Sequence, residues 1–117
     1  RKIDLHNNGT PVRTWLHATD TASAAITIIN AGVVNEIYNI SGPYQTENIT
    51  VVKKILALHG ISETDLDKHT EPLDRQGQDV RYSVDDTKLR NLGWQPQAEF
   101  DTELEKIVQY YKNTFIW

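Results

Sequence analysis

The stretch from Asp74 to Asp85, DRQGQDVRYSVD, carries more functional information than any other part of this chain. Its twelve residues include two arginines, three aspartates, a glycine and an aromatic side chain, without the spacing of an amphipathic helix. The two guanidinium groups, at Arg75 and Arg81, flank Gly77, which gives the backbone extra freedom. Because a planar guanidinium matches phosphate oxygens bidentately, the segment predicts a site for a doubly charged phosphate ligand.

The composition indicates one domain and excludes several classes of function. The 117 residues are enough for one domain with its own core. A hydrophobic fraction of 38% is low, which fits a piece whose natural neighbour covers part of its surface. Since the net charge is −4, no non-specific nucleic-acid binding is expected, and phosphate recognition must come from individually placed arginines.

Further classes are excluded by what the sequence lacks. There is no cysteine, and the four histidines are scattered without metal-ligand spacing, so neither disulfides nor a metal site is expected. Without a long apolar run or a signal peptide, the default expectation is a cytoplasmic protein with no membrane contact. The chain also lacks methionine and opens at Arg1 within what reads as a working motif. We therefore interpret residues 1–117 as the C-terminal portion of a longer protein, called the parent below.

Local signals in the first half of the chain predict a turn, two helices and a strand. Asn7-Asn8-Gly9 is typical of a turn with positive φ. Asp20 is predicted to cap a helix that ends at Gly32 and turns one apolar face inward, formed by Ala22, Ala25, Ile26 and Ile29. A short buried strand is predicted at Glu36–Ile40. The second helix follows Asn48 and stops at Gly60, with its inward face formed by Ile49, Val52, Ile55 and Leu56.

The second half predicts an exposed connection and two more helices. Residues 61–71 are polar and are expected to be irregular. Arg81–Val84 is predicted to be extended, and Asp85 to cap a short helix. The last helix is expected from about Thr102, with Thr102 and Glu105 at capping-box spacing and its apolar side at Leu104, Ile107, Val108, Tyr111 and Phe115. The fold class is therefore α/β.

Five motifs in order along the chain are similar to those of one enzyme family. They are the arginine segment quoted above, Gly9-x-x-x-Arg13-x-Trp15 with His17 and Asp20, EIYNI at Glu36–Ile40, Thr46-Glu47-Asn48, and Leu92-Gly-Trp94-x-Pro96 with the terminal Tyr110-Tyr111-x-Asn113-x-x-x-Trp117. Together they resemble dTDP-glucose 4,6-dehydratases, which are NAD-dependent nucleotide-sugar enzymes of the extended short-chain dehydrogenase/reductase class. The arginine segment looks like that family's DRPGHDRRYA-type loop.

The resemblance implies a fold and a division of labour. It implies the substrate-binding portion of a Rossmann-type fold, without the N-terminal dinucleotide-binding half. In the parent, NAD would take hydride from sugar C4, water would leave across C5–C6, and hydride would return to C6. The chain has neither a G-x-x-G-x-x-G loop nor a Tyr-x-x-x-Lys pair, so the cofactor site and catalytic residues are expected upstream. This piece alone is predicted to be inactive, and the parent is expected to be a homodimer.

The resemblance also implies which residues contact a nucleotide-diphosphate sugar, and each has a simpler alternative. Arg13 would contact the diphosphate or nucleoside, or else stack on Trp15. Asn48 would reach the nucleotide sugar and could also cap its helix, since a carboxamide has several donor and acceptor sites. The remaining predicted contacts lie in the arginine segment: Asp74, Arg75, Gln76, Gly77, Gln78 and Arg81.

The arginines of that segment could instead form ion pairs. Arg75 could pair with Asp74 or Asp79, and Arg81 with Asp85. Gln76 stands where the family usually has proline, and Gln78 where it has histidine, so the loop departs from the pattern at both positions. Two other functions stay open beside the dehydratase: a nucleotide-sugar 4-epimerase, and a non-catalytic nucleotide-sugar-binding or assembly module.

Overall fold

A computed structural model describes residues 2–114 of the chain. The strands are β1 Ile3–His6, β2 Val12–Trp15, β3 Tyr44–Glu47 and β4 Thr70–Leu73. The helices are α1 Ala18–Ala31, α2 Asn48–Leu58, α3 Leu66–His69, α4 Thr87–Arg90 and α5 Phe100–Thr114, and 3₁₀ turns lie at Asn7–Gly9 and Glu63–Asp65. The predicted α/β class is confirmed, while Phe115 and Trp117 of the predicted last helix and terminal motif lie outside the described residues.

The four described strands form two small sheets. β1 pairs in parallel with β4, from Ile3 opposite Thr70 to His6 opposite Leu73. β2 and β3 form an antiparallel pair, in which Arg13 lies opposite Thr46. On the other side of β2, Arg81 forms a parallel bridge to Val12. The second sheet thus brings the arginine segment beside β2.

The predicted turn at Asn7-Asn8-Gly9 is confirmed. Its three residues have φ values of 47°, 57° and 74°, a region that asparagine and glycine tolerate better than other residues. A Cβ atom at Gly9 would lie 2.8 Å from the Cβ atom of Ile49, so α2 also packs too closely for a larger residue. The turn therefore fixes how β1 leads into β2 and how both meet α2.

The predicted strand at Glu36–Ile40 is wrong, because the segment has no regular secondary structure. A strand must satisfy its backbone through a neighbouring strand, and no described strand pairs with this segment. Tyr38 and Ile40 still pack against the core, and the Tyr38 hydroxyl accepts a hydrogen bond from the Val33 amide at 2.9 Å.

A small core joins α1 to the segment after α4. Ala24, Leu89 and Trp94 are its fully buried members, and Trp94 is only 3% exposed. The Trp94 indole Nε1 donates to Ser23 Oγ at 2.9 Å, so its polar atom has a partner inside the core. This contact links two segments 71 residues apart and closes the fold around α1.

The prediction that Asp20 caps α1 is wrong. His17 holds the N-cap position, and its Nδ1 accepts from the Thr19 amide at 3.2 Å. Asp20 lies in the first turn, 4% exposed, and its carboxylate accepts from the backbone amides of Gln97 at 2.9 Å and Ala98 at 3.1 Å. Asp20 therefore holds a loop that arrives from far along the chain, a role that local sequence signals do not show.

The predicted inward face of α1 is also wrong. Ile26 is 59% exposed and Ile29 81% exposed, whereas the helix buries Asp20 and Ala24. The core of this piece contacts the side of the helix opposite to its most apolar positions. The predicted end at Gly32 is confirmed, because Gly32 is the C-cap and its amide donates to Ile28 at 2.8 Å.

The outcome for α2 is closer to the prediction. Leu56 is buried as predicted, together with Val51, which was not among the predicted positions. The other predicted positions are half-buried: Ile49, Val52 and Ile55. The helix stops before Gly60, which has a φ of 76°.

Residues 61–71 were predicted to be irregular, but they contain the second 3₁₀ turn, α3 and the start of β4. Pairing with the distant β1 turns the end of this polar stretch into a strand. Local periodicity gives no sign of such a pairing, since the partner lies more than sixty residues earlier in the chain.

Two helix starts differ from their predicted capping residues. α5 begins at Phe100, and the Glu99 carboxylate, rather than a Thr102–Glu105 capping box, accepts from the amides of Asp101 at 3.1 Å and Thr102 at 2.7 Å. Hydrogen bonds from Thr102, and then from Asp101, lower the pKa of Glu99. At α4, Asp86 holds the cap position, although the Asp85 carboxylate accepts from the Thr87 amide at 2.8 Å.

Within residues 2–114, no helix is both long and apolar enough to cross a membrane. The same described residues contain no cluster of histidine and acidic side chains that could hold a metal ion.

Candidate functional site

The candidate site is built on strand β2, which the arginine segment follows along one edge. The Val12 amide donates to the Val80 carbonyl at 2.8 Å, and the Tyr82 amide donates to the Val12 carbonyl at 3.2 Å. β3 occupies the opposite edge of β2. Because the backbone of residues 80–82 is held as in a sheet, the arginines of the segment have fixed attachment points.

Arg13 projects from β2 into the arginine segment and contacts it directly. Its Nη1 donates to the carbonyls of Val12 at 2.7 Å and Asp79 at 3.2 Å, and its Nη2 also donates to Asp79 at 3.2 Å. The centre of the guanidinium lies 4.3 Å from the centroid of the Tyr82 ring. The aromatic partner is therefore Tyr82, and the alternative of stacking on Trp15 is not what the structure shows.

Tyr82 and Asp79 complete this arrangement. The Tyr82 hydroxyl donates to the Asp79 carboxylate, and this hydrogen bond, followed by the negative charge of Asp79, raises the pKa of Tyr82. The positive charges of Arg13 and Arg75 act on the pKa of the same phenol in the opposite direction. Tyr82 is therefore held by a hydrogen bond to Asp79, with the Arg13 guanidinium over its ring.

Arg75 is held by its backbone rather than by its side chain. Its amide donates to Asn7 Oδ1 at 2.9 Å, and its carbonyl accepts from Asn7 Nδ2 at 3.3 Å. Arg75 is exposed. None of the ion pairs among residues 2–114 involves Arg75, so the alternative pairing with Asp74 or Asp79 is not formed. The guanidinium thus keeps its donors available to a ligand.

Arg81 turns away from Asp85 toward the β2–β3 hairpin. Its Nη2 donates to Gln45 Oε1 at 2.7 Å, and Gln45 Nε2 donates to Thr14 Oγ1 at 3.1 Å. The Thr14 hydroxyl in turn donates to the Tyr82 carbonyl at 3.0 Å. Since Arg81 is the bridge residue beside Val12 and its side chain is part of this network, it is better suited to fixing the loop than to gripping a ligand.

Asn48 is the first residue of α2, and the cap position belongs to Glu47, so the prediction that Asn48 caps its helix is wrong. Its backbone amide donates to the Pro11 carbonyl at 3.2 Å. Among the hydrogen bonds within residues 2–114, none uses the half-buried carboxamide of Asn48. The strand register places Asn48 one residue beyond the Val12–Glu47 pair, close to where Arg13 leaves β2.

The tip of the arginine segment is a turn at Gln76-Gly77. Gly77 has a φ of 71°, and a Cβ atom there would meet nothing, so glycine serves the backbone conformation rather than close packing. Gln78 is half-buried, and its Oε1 is buried with no hydrogen-bond partner among the described residues. An acceptor of this kind is costly to bury alone, which makes Gln78 suited to a donor supplied by a ligand.

A cleft of about 240 Å³ opens beside these residues, lined by Arg13, Thr14, Leu16, Ile40, Ser41, Gly42, Tyr82, Ser83 and Val84. A more apolar cavity of about 290 Å³ lies between the hairpin, α2 and α5, with Trp15, Tyr44 and Phe100 in its wall. No arginine lines that apolar cavity, whereas Arg13 lines the cleft beside β2, so the cleft is better suited to a phosphate ligand.

The structure thus places Arg13 on β2, Arg81 in the bridge beside it and Asn48 just beyond the Val12–Glu47 pair. Arg75 is held separately by Asn7, in the turn that precedes β2. Sequence reasoning missed the four residues that hold them, namely Asn7, Gln45, Asp79 and Tyr82. Of these, Asp79 and Tyr82 lie inside the quoted segment, and Tyr82 was visible there as an aromatic next to Arg81. Asn7 and Gln45 become partners only through strand pairing, and a single sequence gives no sign of it.

The chain belongs to the GDP-mannose 4,6 dehydratase family, whose model matches residues 2–107. Within it, the chain is similar to the dTDP-glucose 4,6-dehydratase of Neisseria meningitidis serogroup B, with 38% identity over 127 residues that cover 100% of this chain and 36% of that protein. The Escherichia coli dTDP-glucose 4,6-dehydratase is 36% identical over 126 residues, covering 98% of this chain and 34% of the relative. The chain therefore spans about a third of the length of these relatives.

Solved structures support the same family. The crystal structure of dTDP-glucose 4,6-dehydratase from Bacillus anthracis in complex with NAD superposes with a TM-score of 0.85 at 35% identity, covering 97% of this chain and 35% of that chain. UDP-glucose 4-epimerase from Thermus thermophilus, also with NAD, gives a TM-score of 0.79 at 18% identity over 97% of this chain and 36% of that chain, which shows a shared fold alone. The resemblance to the dehydratases and the fold class it implied are confirmed.

The residues of this chain do not by themselves fit a dinucleotide cofactor. The sequence has no glycine-rich dinucleotide loop, which is the feature that holds a dinucleotide in a Rossmann-type fold. The arginines and amides near β2 suit a diphosphate, a group that dinucleotides and nucleotide sugars share. We assign no reaction step to these residues.

Proposed function

We propose that this chain is the nucleotide-sugar-binding portion of an NAD-dependent dTDP-glucose 4,6-dehydratase. The single observation that carries the proposal is that Asn7 fixes the Arg75 backbone while the Arg75 guanidinium forms no described ion pair, and that Arg13 lies over Tyr82 of the same segment. Such a pair of charges suits a diphosphate, and the relatives named above are dTDP-glucose 4,6-dehydratases.

Each residue of the proposed site has a distinct role. Arg75 and Arg13 bind the diphosphate, and Asn48 donates or accepts at the nucleotide sugar. Arg81 fixes the loop from the side of Gln45. Gln78 accepts a hydrogen bond from the ligand through its buried Oε1, and the remaining positions, Asp74, Gln76 and Gly77, shape the turn.

The contribution of this portion is binding and orientation. Holding the diphosphate at two points restricts how the attached sugar is presented to the rest of the enzyme, which lowers the entropic part of the barrier. In the parent, NAD supplies the hydride chemistry, and the residues that bind it are proposed to lie outside this chain. We also propose that the parent is a cytoplasmic homodimer.

The test of the proposal is an assay of the parent with two substrates. A dehydratase converts dTDP-glucose to the 4-keto-6-deoxy product, which mass spectrometry detects as the loss of one water. A 4-epimerase, the second candidate, instead gives an isomer of unchanged mass from UDP-glucose. Its support is limited to the fold shared with epimerases, at 18% identity in the Thermus thermophilus case. Binding of either nucleotide sugar without conversion would indicate the non-catalytic module.

The 117-residue chain alone is expected to form no product from dTDP-glucose and NAD. The reason is that it has neither a dinucleotide loop nor a Tyr-x-x-x-Lys pair. The measurement is the same mass-spectrometric assay, with the parent as the positive control. Turnover by a preparation shown to be free of host enzyme would contradict the division of labour proposed above.

The apolar side of α1 is proposed to be covered by the part of the parent that this chain lacks. This surface, which we call the α1 patch, consists of Ile26, Ile29, Val33, Val34 and Ile37, and each is between 59% and 83% exposed. Patches of this kind on a monomer are uncommon and mark surfaces that contact another part of a protein. The proposal also fits the low hydrophobic content of 38%, because part of the apolar surface that this chain would pack against belongs to the rest of the parent.

The isolated chain should therefore bind the dye ANS and self-associate through the α1 patch. Changing Ile29 to Glu should reduce both, because it places a charge in the most exposed part of the helix face. The matched control is Asn30→Glu, one residue further and also exposed. Dye fluorescence and light scattering report the outcome, and a monomeric chain that does not bind the dye would indicate an autonomous domain.

A further inference from the structure

Asn7 reaches across the molecule to a residue 68 positions later. Asn7 directly follows β1, whose last residue His6 pairs with Leu73 at the end of β4. The segments after β1 and β4 therefore leave the parallel pair side by side. The carboxamide of Asn7 then makes both possible hydrogen bonds to the backbone of Arg75, accepting at 2.9 Å and donating at 3.3 Å. The Asn7 side chain thus pairs with the backbone of Arg75 in the same way as the backbone of a neighbouring strand residue would.

This contact requires the chemistry of an amide at that position. A carboxylate could accept from the Arg75 amide but would face the Arg75 carbonyl without a proton to donate. The backbone conformation of Asn7, with φ at 47°, is one that asparagine tolerates and that most other residues resist. Both the turn and the contact therefore favour asparagine.

The contact also bridges a gap in the support of the arginine segment. From Asp79 onward the segment is held by Arg13, Val12 and Thr14. Between the end of β4 and Asp79, the hydrogen bonds from Asn7 are the described side-chain contacts that hold the backbone. Arg75 lies in this part, and its own side chain forms no ion pair with residues 2–114.

We propose that Asn7 is a positioning residue that sets the direction in which the Arg75 guanidinium leaves the backbone. The inference rests on the proposed function, because it assumes that Arg75 binds the diphosphate. With the backbone fixed before the ligand arrives, binding does not have to order the loop, and affinity increases accordingly.

The test uses the full-length parent and the variant Asn7→Gly, which keeps the positive-φ turn and removes only the carboxamide. We expect dTDP to bind roughly tenfold more weakly in calorimetric titration, by analogy with the loss of a pair of neutral hydrogen bonds. The matched control is Asn8→Gly, in the same turn with φ at 57°, whose side chain forms no hydrogen bond with the described residues. That variant and NAD affinity should both stay unchanged.

A second set of variants separates positioning from general loss of structure. In an Arg75→Ala background, Asn7→Gly should have no further effect on dTDP affinity, since there is no guanidinium left to position. Asn7→Asp keeps only the accepting hydrogen bond and adds a negative charge that repels the Arg75 carbonyl and the ligand's phosphates, so it should bind dTDP at least as weakly as Asn7→Gly. With Asn8→Asp as its charge-matched control, it serves even if the glycine variant folds poorly. Thermal unfolding is recorded for every variant.

The outcomes distinguish this inference from the proposed function. If Arg75→Ala weakens dTDP binding while Asn7→Gly does not, the positioning role is overturned and the phosphate site stands. An equal loss from Asn7→Gly with and without Arg75 also overturns it, by showing a role independent of the arginine. If neither Arg75→Ala nor Arg13→Ala changes dTDP affinity, the proposed function itself fails, and the role of Asn7 fails with it.

Discussion

Replacing Arg75 with alanine in the parent should weaken dTDP binding by about one to two decades. The variant removes a charge-assisted contact to the diphosphate, and such contacts contribute roughly 1.5–3 kcal/mol. Because the Arg75 backbone is held by Asn7 and the side chain forms no described ion pair, the substitution breaks nothing else in the described structure. Stability should therefore stay close to that of the wild type, so that the loss is confined to binding.

The corresponding change at Arg13 should lower affinity by a similar amount and should also lower stability. Arg13 donates to the Asp79 carbonyl and stacks on Tyr82, so its removal loosens the segment that carries Arg75. Arg75→Lys should lose much of the affinity lost in Arg75→Ala, because an ammonium group cannot reproduce the planar fork. These three variants separate charge, geometry and support of the loop.

Calorimetric titration of dTDP and UDP into each variant gives the affinities, with thermal unfolding as the check on folding. A suitable control is Lys68→Ala, which removes one positive charge from an exposed side chain that pairs with Asp65 away from β2. NAD affinity should be unchanged throughout. If both alanine variants fold and bind the nucleotides with wild-type affinity, Arg13 and Arg75 do not bind the diphosphate.

The sequence predicted the features of this fold that depend on neighbouring residues. The Asn7-Asn8-Gly9 turn and the helix ends near Gly32 and Gly60 follow from backbone preferences that act within a few residues. Asp20 could not be placed in this way, because its partners are the amides of Gln97 and Ala98. A buried acid looks like a helix cap in sequence when its true donors lie far along the chain.

The segment at Glu36–Ile40 and the outer face of α1 show a different limit. Both have the pattern of buried structure, with EIYNI typical of a strand and Ile26 and Ile29 typical of an inward helix face. Within residues 2–114 the first has no strand partner and the second is exposed. The pattern is consistent with burial against residues that this chain does not contain, which is the surface proposed above to be covered in the parent.

For the site, sequence and resemblance identified the arginines but not their geometry. Arg13, Arg75 and Arg81 were named as candidates, yet nothing in their spacing distinguishes Arg75, which forms no described ion pair, from Arg81, which is bound to Gln45. That difference arises from strand register, since β3 places Gln45 opposite Thr14 and beside the bridge at Arg81. Strand register depends on which face of the strand is buried and on turn geometry, so it cannot be predicted from a short motif.

The largest expected effect on stability is at Trp94, where a change to alanine should lower the free energy of unfolding by about 3–5 kcal/mol. The side chain is 3% exposed and packs with Ala24 and Leu89, so truncation leaves a large cavity in a small core. The variant also removes the hydrogen bond to Ser23, although Ser23 keeps its own bond to the Asp20 carbonyl at 2.9 Å. Ser23 is therefore not left without a partner, and most of the loss comes from packing.

Comparison with Trp94→Phe separates these two contributions. Phenylalanine keeps most of the aromatic packing but cannot donate to Ser23, so this variant should lose markedly less stability than the alanine variant. Urea unfolding of the parent measures both changes, with Tyr110→Ala as a control, because that aromatic residue is 61% exposed and should cost about 1 kcal/mol or less. A Trp94→Ala variant as stable as the control would show that the contact between α1 and the segment after α4 does not hold the fold together. The hydrogen bonds from the Gln97 and Ala98 amides to Asp20 lie next to this contact. The same result would therefore indicate that these hydrogen bonds are enough to hold the segment before α5 against α1.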